Sequence, residues 1–394
     1  MGRNINTTKL TKTTILNKIS QISIFSVYFN IPIDIINYCI NTGELIKSPI
    51  REDNHPTCGF KYDNKGKLKF KDFAGYFWGD CFDAVALIMS NIYNTSIDIS
   101  KKEDFVKVLK HIAFTFKDIY YGTEKDNNID NIIINSLSNI KKQKPIIELV
   151  TREWNNNDIN YWKQFGINIQ DLNINFVYPV EQFYINRKIN PNAKYYYDSK
   201  DPCYGYLLGK DKSGTLNIKL YFPKRNKNFT KFITNCNHLE GIYGLNNNTY
   251  NYIIITKSTK DRISLKVNID KTFKNNNINN ISIGVINIPH ETYKLRQNEY
   301  NWLISKVHNG FILSFMDNDR TGKLEAKWLK DNYNIKPILI NNKEYDAKDF
   351  SELISKYGYS KTEELILLTL NNIIDYGENN KHIGFEEKSS DLPF

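Results

Sequence analysis

Two aspartates one residue apart, Asp317 and Asp319, sit at the end of the apolar run GFILSFM (310–316) and ahead of Gly322 in the stretch Asp317-Asn318-Asp319-Arg320-Thr321-Gly322. If that run is a buried strand, alternation sends both carboxylates to the same side of its end. In open α/β sheets, ligands bind beyond the C-terminal ends of the strands. Two carboxylates there suit a hard cation such as Mg2+ or Mn2+, which takes oxygen ligands. A plain capped turn is the competing reading of Asp-x-Asp-x-x-Gly, and its place at a strand end favours the metal. Further along, Asp346-Ala347-Lys348-Asp349 offers Asp346 and Asp349 as additional ligands, or as the N-cap of a helix starting FSELISKYG. A third strand-end segment, Thr256-Lys257-Ser258-Thr259-Lys260-Asp261-Arg262, combines a helix start with cations, a setting for phosphate.

A basic cluster precedes these acids. Lys210, Lys212, Lys219, Lys224, Arg225, Lys227 and Lys231 fall between Gly205 and Phe232 against a single acid, Asp211. Tyr206, Tyr221, Phe222, Phe229 and Phe232 are interleaved with them. An ordinary half-buried sheet would show this pattern, and so would a groove for single-stranded nucleic acid that combines backbone contacts with base stacking. The local excess of charge favours the groove.

The elements that must position these residues show two characters. Ile15, Ile19 and Ile22, then Ile33, Ile36 and Ile40, recur at helical spacing within residues 1–46. Short alternating stretches flank Asn64-Lys65-Gly66 between residues 56 and 73, which predicts a hairpin, and DAVALIMSNIY (83–93) predicts a helix. Residues 121–160, polar with Pro145 inside, read as a linker. Strand-like runs at 216–222 and 230–235 follow, and then YIIIT (252–256), ISIGVINI (281–288), GFILSFM and KPILI (336–340) alternate with helical stretches. That order predicts a mostly parallel sheet covered on both faces.

Composition sets the bounds. The 394 residues carry 53 Lys and Arg against 43 Asp and Glu, a formal charge of +10, which favours a polyanionic partner. No apolar run approaches the ~18 residues of a membrane span, and the first residues lack a secretory pattern, so a cytoplasmic protein is expected. Five scattered cysteines with no C-x2-C pair argue against a disulfide framework and against a self-contained zinc site. No G-x4-G-K-[S/T] element occurs, so a helicase would be a separate chain.

Taken in order, the motifs resemble the bacterial-type, DnaG-like DNA primases, in particular their divergent phage branch. Residues 46–88 are similar to the zinc-ribbon module of that family. Ser48-Pro49-Ile50-Arg51 stands where the family has Cys-Pro-x-His, Pro56-Thr57 matches the hairpin entry, and Gly79-Asp80-Cys81-Phe82-Asp83 matches the stretch after its Cys-x-x-Cys. The basic stretch from Gly205 is similar to one half of the polymerase core, and residues 250–358 resemble a Toprim domain. The fold class implied is α+β multidomain. It comprises a helical segment at 1–46, a zinc-ribbon-like module at 47–120, a linker at 121–160, a basic subdomain at 161–249, an α/β Toprim-like domain at 250–358, and a C-terminal helix with an acidic tail at 359–394.

Two departures stand out. The zinc ligands are absent, and His55 with Cys58 and Cys81 supplies no paired set, so the resemblance implies a zinc-free ribbon held by Phe70, Phe73, Phe77 and Trp78. Lys257 replaces the glutamate of the Toprim Glu-Gly-x-x-Asp motif when the chain is aligned on Asp261. Glu291 is a candidate replacement carboxylate.

The resemblance implies synthesis of short RNA primers on single-stranded DNA from nucleoside triphosphates. Asp317, Asp319, Lys257 and Asp261 would be catalytic. Asp317, Asp319, Asp346 and Asp349 would hold Mg2+ or Mn2+. Lys210, Lys219, Lys224, Arg225, Lys227, Lys231 and Arg320 would contact nucleic acid. The compartment would be the host cytoplasm or a viral replication compartment. The terminal GFEEKSSDLPF resembles the tails that dock replication partners such as a separate helicase. The alternatives are a catalytically impaired homologue acting as a DNA-binding scaffold, and a Toprim nuclease, which a plasmid-nicking assay would reveal.

Overall fold

A computed structural model describes residues 10–53, 55–121, 144–226, 229–245, 248–290, 293–340 and 344–379. The fold mixes helices with three sheets, one of them parallel. Contacts divide the chain into two compact units, one of 1–150, 181–203 and 221–235, the other of 151–180, 204–220 and 236–394. Among the described residues no single helix is long and apolar enough to cross a membrane.

In the first unit three short helices, Lys12–Leu16, Gln21–Phe29 and Ile33–Thr42, lead to a hairpin. Thr11 and Ser20 cap the first two by accepting the backbone N–H of Thr14 and Ser23. Strands β1 (Cys58–Tyr62) and β2 (Leu68–Asp72) pair antiparallel with Phe60 opposite Phe70. The turn falls at the expected place: Gly66 has φ +69°, and the Asp63 carboxylate accepts the N–H of Lys65 and Lys67. A short β3 (Trp78–Gly79) adds to β2, and helices Cys81–Tyr93, Lys102–Thr115 and Lys117–Tyr121 follow.

No boundary falls between residues 46 and 47. Phe25 and Phe29, from the helical segment, pack on Phe60, Phe70 and Phe77 in one core, with ring centroids 4.9 Å apart for both Phe29–Phe70 and Phe60–Phe70. Of the four aromatics expected to hold the ribbon, Phe70 is fully buried and Phe77 lies against that core. Phe73 and Trp78 are 45% and 68% exposed. Cys58 and Cys81 are buried thiols whose pKa burial pushes up to about 12, a setting that resists the thiolate form. The Arg51 guanidinium forks onto buried Asp72 at 2.7 and 3.0 Å and donates to Thr57 Oγ1 at 2.7 Å. A bidentate, hydrogen-bonded pair of this kind tethers the loop to β2.

A six-stranded sheet follows, with β4 (Ile147–Thr151), β5 (Val177–Ile185), β7 (Tyr204–Lys210), β8 (Leu216–Tyr221) and β9 (Phe232–Thr234) in the order β4-β5-β7-β8-β9. Strand β6 (Tyr195–Tyr196) pairs with β5 alone. The stretch expected as a linker is therefore structured over its second part, which holds β4 and the start of a helix at Asn156–Lys163 capped by Asn155. Residues 122–143 lie outside the described ones.

The remainder of the second unit is the α/β alternation expected from sequence. Strands β10 (Tyr250–Thr256), β11 (Ile283–Asn287), β12 (Val307–Phe315) and β13 (Lys336–Pro337) are all parallel, in the order β11-β10-β12-β13. Helices Thr259–Asn275, Gln297–Ser305 and Arg320–Tyr333 connect them, and a helix from Phe350 to Asn379, broken at Gly358 (φ +72°), follows. Alternation divides the strand side chains between two cores. Ile254, Leu313 and Phe315 join one with Phe350 and Leu353; Ile253, Ile255 and Ile312 join the other with Trp302 and Leu329. Of KPILI only Lys336–Pro337 pairs as strand, because the chain then turns toward the loop that carries Asp349.

Candidate functional site

The strand order reverses at β10, which lies between β11 and β12, so the crevice for a ligand opens at the C-terminal ends of β10 and β12. Lys257 and Asp317 emerge there, each within two residues of its strand's end. Three acids meet at that edge: the carboxylate oxygens of Asp261, Asp317 and Asp349 lie within 4.8 Å of one another. Each is held at or next to a helix N-terminus, whose unpaired N–H groups and dipole favour negative charge. Asp261, in the first turn of Thr259–Asn275, accepts from Ser258 Oγ, and from the backbone N–H (3.1 Å) and hydroxyl of Ser351. Asp349 caps the helix beginning at Phe350 by accepting the Glu352 N–H at 2.7 Å. Asp317 precedes Asp319, which caps Arg320–Tyr333 through the Gly322 N–H at 2.9 Å.

Gly322 explains the last position of the motif. A Cβ there would stand 2.1 Å from the Asp317 carbonyl oxygen, so only glycine lets the helix start close beneath the acid. The Asn318 N–H donates to the Lys348 carbonyl at 2.6 Å, which ties the β12 loop to the Asp349 loop.

Two lysines enter the acid group. Lys257 Nζ is 3.6 Å from Asp317 Oδ2, and Lys348 Nζ is 3.0 Å from the same oxygen and 3.2 Å from Asp319 Oδ2. Burial pushes the Asp317 pKa up, against the pull of Lys348 and Lys257. Burial, and then the neighbouring Asp261 charge, push Asp349 up to about 7. Asp319 is held below the usual carboxylate range by the Gly322 N–H and by Lys348. The Lys348 pKa is raised: burial acts to lower it, but Asp317 and Asp319 outweigh that.

The structure thus brings Asp317, Asp319, Lys257, Asp261 and Asp349 together. Asp346 lies apart, with a 98% exposed carboxylate paired to Lys356. Lys219 is buried, donating to Glu240 Oε1 at 2.8 Å and to the Pro289 carbonyl at 2.9 Å, so it offers nothing to a nucleic acid; this corrects its placement on a surface groove. Its strand β8 is covered on both faces, and a buried ammonium requires such a partner. Arg225 forks onto Asp201 and lies over the Phe222 ring. Lys210, Lys224, Lys231 and Arg320 are exposed. Lys227 and Glu291 lie outside the described residues.

Two features escaped the sequence reading. Buried Glu240 gathers Lys219, the Thr259 hydroxyl at 2.6 Å and Asn287 Nδ2 at 2.8 Å, which fixes the start of Thr259–Asn275 against the end of β11. In the first unit, the outer face of β1-β2-β3 carries Lys61 opposite Lys69 and Lys71 opposite Trp78, with Phe73 beyond. The Lys69 and Lys71 ammonium groups stand over the exposed rings of Trp78 and Phe73 at 5.1 and 4.8 Å. The alternation of Lys69-Phe70-Lys71 carried that signal.

No protein-family model and no curated protein sequence matches the chain. Similar solved structures include the primase fragment of the bacteriophage T7 primase-helicase protein, at TM-score 0.32 and 12% identity over 55% of this chain and 78% of that one. Another is a chain from bacteriophage T7 lagging-strand DNA polymerase interacting with primase domains bound to an RNA/DNA hybrid and dTTP, at TM-score 0.31 and 12% identity over 59% and 98%. A third is the DnaG primase catalytic domain bound to single-stranded DNA, at TM-score 0.30 and 14% identity over 58% and 69%.

Proposed function

We propose that the chain is a nucleotidyltransferase that makes short RNA primers on single-stranded DNA. The observation that carries this reading is the convergence of Asp261, Asp317 and Asp349 at the C-terminal edge of a parallel sheet, with two lysines against them. The likeness of Asp317-Asn318-Asp319-Arg320-Thr321-Gly322 to the Toprim motif supports the same reading.

A donor set of three carboxylates is all hard oxygen and fits Mg2+ or Mn2+. Asp261, Asp317 and Asp349 would hold that cation, which when bound supplies charge neutralisation to phosphate and acidifies an attacking hydroxyl. The chain's own residues do the rest. Lys257 and Lys348 place fixed positive charge beside the acids, where it binds and orients a triphosphate. The capped helix starts and the Glu240 network hold these groups in place without reorganisation. Burial of Lys257 strengthens its field over that of a surface lysine. In the first unit, the lysines and rings of the β1-β2-β3 face suit a single strand, by backbone contact and base stacking. Docking of a separate helicase or other replication protein would fall to the tail at 384–394, outside the described residues.

One observation favours the rival reading of a scaffold without catalysis: Lys257 faces Asp317 where the resemblance implies an acid. Incorporation of labelled ribonucleotides on a single-stranded template separates the two. Primer synthesis requires product with Mg2+ or Mn2+, abolished by Asp317→Asn. Salt-sensitive DNA binding unchanged by Asp317→Asn, with no product in either metal, would leave the scaffold.

A further inference from the structure

We propose that Lys348 is a built-in counter-cation that takes the place of a second metal ion, so that the site binds one divalent cation. This rests on the metal-dependent reading above. Paired-metal polymerase sites hold two ions about 3.5–4 Å apart, clamping the attacking and leaving oxygens from both sides. Here the Lys348 ammonium bridges the two acids of Asp-x-Asp as such an ion would, 3.0 Å from Asp317 Oδ2 and 3.2 Å from Asp319 Oδ2.

The remaining oxygen of Asp319 is also committed, since Oδ1 accepts the Gly322 N–H that starts the helix. A second metal at Asp317 and Asp319 would have to expel the lysine and compete with the helix cap. Lys348 is anchored on both sides of its backbone: its N–H donates to Glu352 Oε2 at 2.6 Å, and its carbonyl accepts the Asn318 N–H at 2.6 Å. The ammonium therefore starts from a fixed point, and the side chain is 49% exposed, open to an incoming phosphate.

Charge leads to the same count. Asp261, Asp317, Asp349 and Asp319 bring four carboxylates, and among the described residues Lys257 and Lys348 are the ammonium groups ion-paired with them. Two negative charges remain, which one divalent cation neutralises. A second would leave the site positive before a triphosphate arrives. An ammonium cannot acidify a hydroxyl as a metal does, so Lys348 holds phosphate charge while the single cation serves the hydroxyl.

Manganese titration followed by electron paramagnetic resonance tests this on the full chain, with thermal unfolding confirming that each protein is folded. One ion per chain is expected for the unmodified protein. Two ions with a spin-coupled signal are expected for Lys348→Ala and for Lys348→Met, which keeps the apolar stem. Two ions in the unmodified protein, or one in both folded variants, would overturn the role of Lys348 and leave the metal reading standing. No bound ion in the folded, unmodified protein would instead overturn the metal reading itself. If neither variant folds, the count on the unmodified chain decides.

Discussion

Burial and the neighbouring Asp261 charge push the Asp349 pKa up to about 7, so under the proposed function cation binding would be coupled to proton release. With its pKa near 7, the carboxyl keeps its proton in weak acid, and a cation must displace it. Manganese affinity is expected to fall by up to tenfold per pH unit below about 7 and to level off above it; equal affinities at pH 6 and pH 8 would contradict this. The stability effect has the opposite sense. An aspartate raised from about 3.9 unfolded to about 7 folded helps the cation-free fold below the first value, and that help is lost as pH rises through the second. Asp349→Asn keeps the cap to Glu352 and removes the charge. At pH 8 in chelator it should stabilise the protein by about 1–2 kcal/mol in thermal unfolding, and no gain would count against the crowded-acid picture. Sequence alone left Asp346 and Asp349 open, because both follow the same strand. The helix start chose between them, since only the residue next to Phe350 is drawn under the sheet edge.

At the scale of elements, the Asp-x-Asp-x-x-Gly motif is a packing device as well as a proposed ligand set. Gly322→Ala must push the helix Arg320–Tyr333 off the Asp317 carbonyl, because backbone at 2.1 Å cannot yield as a flexible side chain would. A loss of about 2–3 kcal/mol in denaturant unfolding, with weaker manganese binding, is expected. A change under about 0.5 kcal/mol would mean that the helix start is not tightly seated. The parallel sheet was legible because its strands are continuous apolar runs punctuated by helical periodicity. Strand β13 was overread, since KPILI has strand composition while the pairing with β12 ends after Lys336, Pro337 and the Ile338 N–H, which donates to the Ser314 carbonyl at 2.7 Å. The second part of the expected linker was missed for the converse reason: β4 is only five residues long and Asn156–Lys163 is polar, so long-range partners settle their state. Lys219 belongs with these, because its partner Glu240 is 21 residues away and no local pattern announces the pair.

Across the whole molecule the formal charge of +10 is distributed, with Lys210 and Lys219 in one unit and Lys224, Arg225 and Lys231 in the other. Within that run Lys219 is buried against Glu240, while Lys210, Lys224 and Lys231 are exposed. The β1-β2-β3 face is a better-defined candidate for single-stranded DNA, and it makes two separable predictions. Trp78→Ala should weaken binding about tenfold through lost stacking. Lys61→Ala with Lys71→Ala should lower the slope of log affinity against log salt by about 1.4, the release expected of two phosphate contacts. Fluorescence anisotropy with a labelled oligonucleotide reads both, and unchanged affinity and slope would exclude this face. The hairpin and its turn were visible in the sequence, as were Phe70 and Phe77 of its core, while Phe73 and Trp78 face outward. The hairpin's union with residues 10–46 was not visible, because Phe25 and Phe29 meet Phe60 and Phe70 only in the folded core.

The central claim is that one carboxylate group serves both cation binding and nucleotide transfer. Its most direct test measures both in the same preparation: manganese binding, and template-dependent ribonucleotide incorporation on single-stranded DNA, for the unmodified chain and for Asp317→Asn. A primer product and bound cation are expected in the first, with both lost together in the folded variant. Incorporation that survives in Asp317→Asn without bound cation, or bound cation with no product on any single-stranded template, would contradict it.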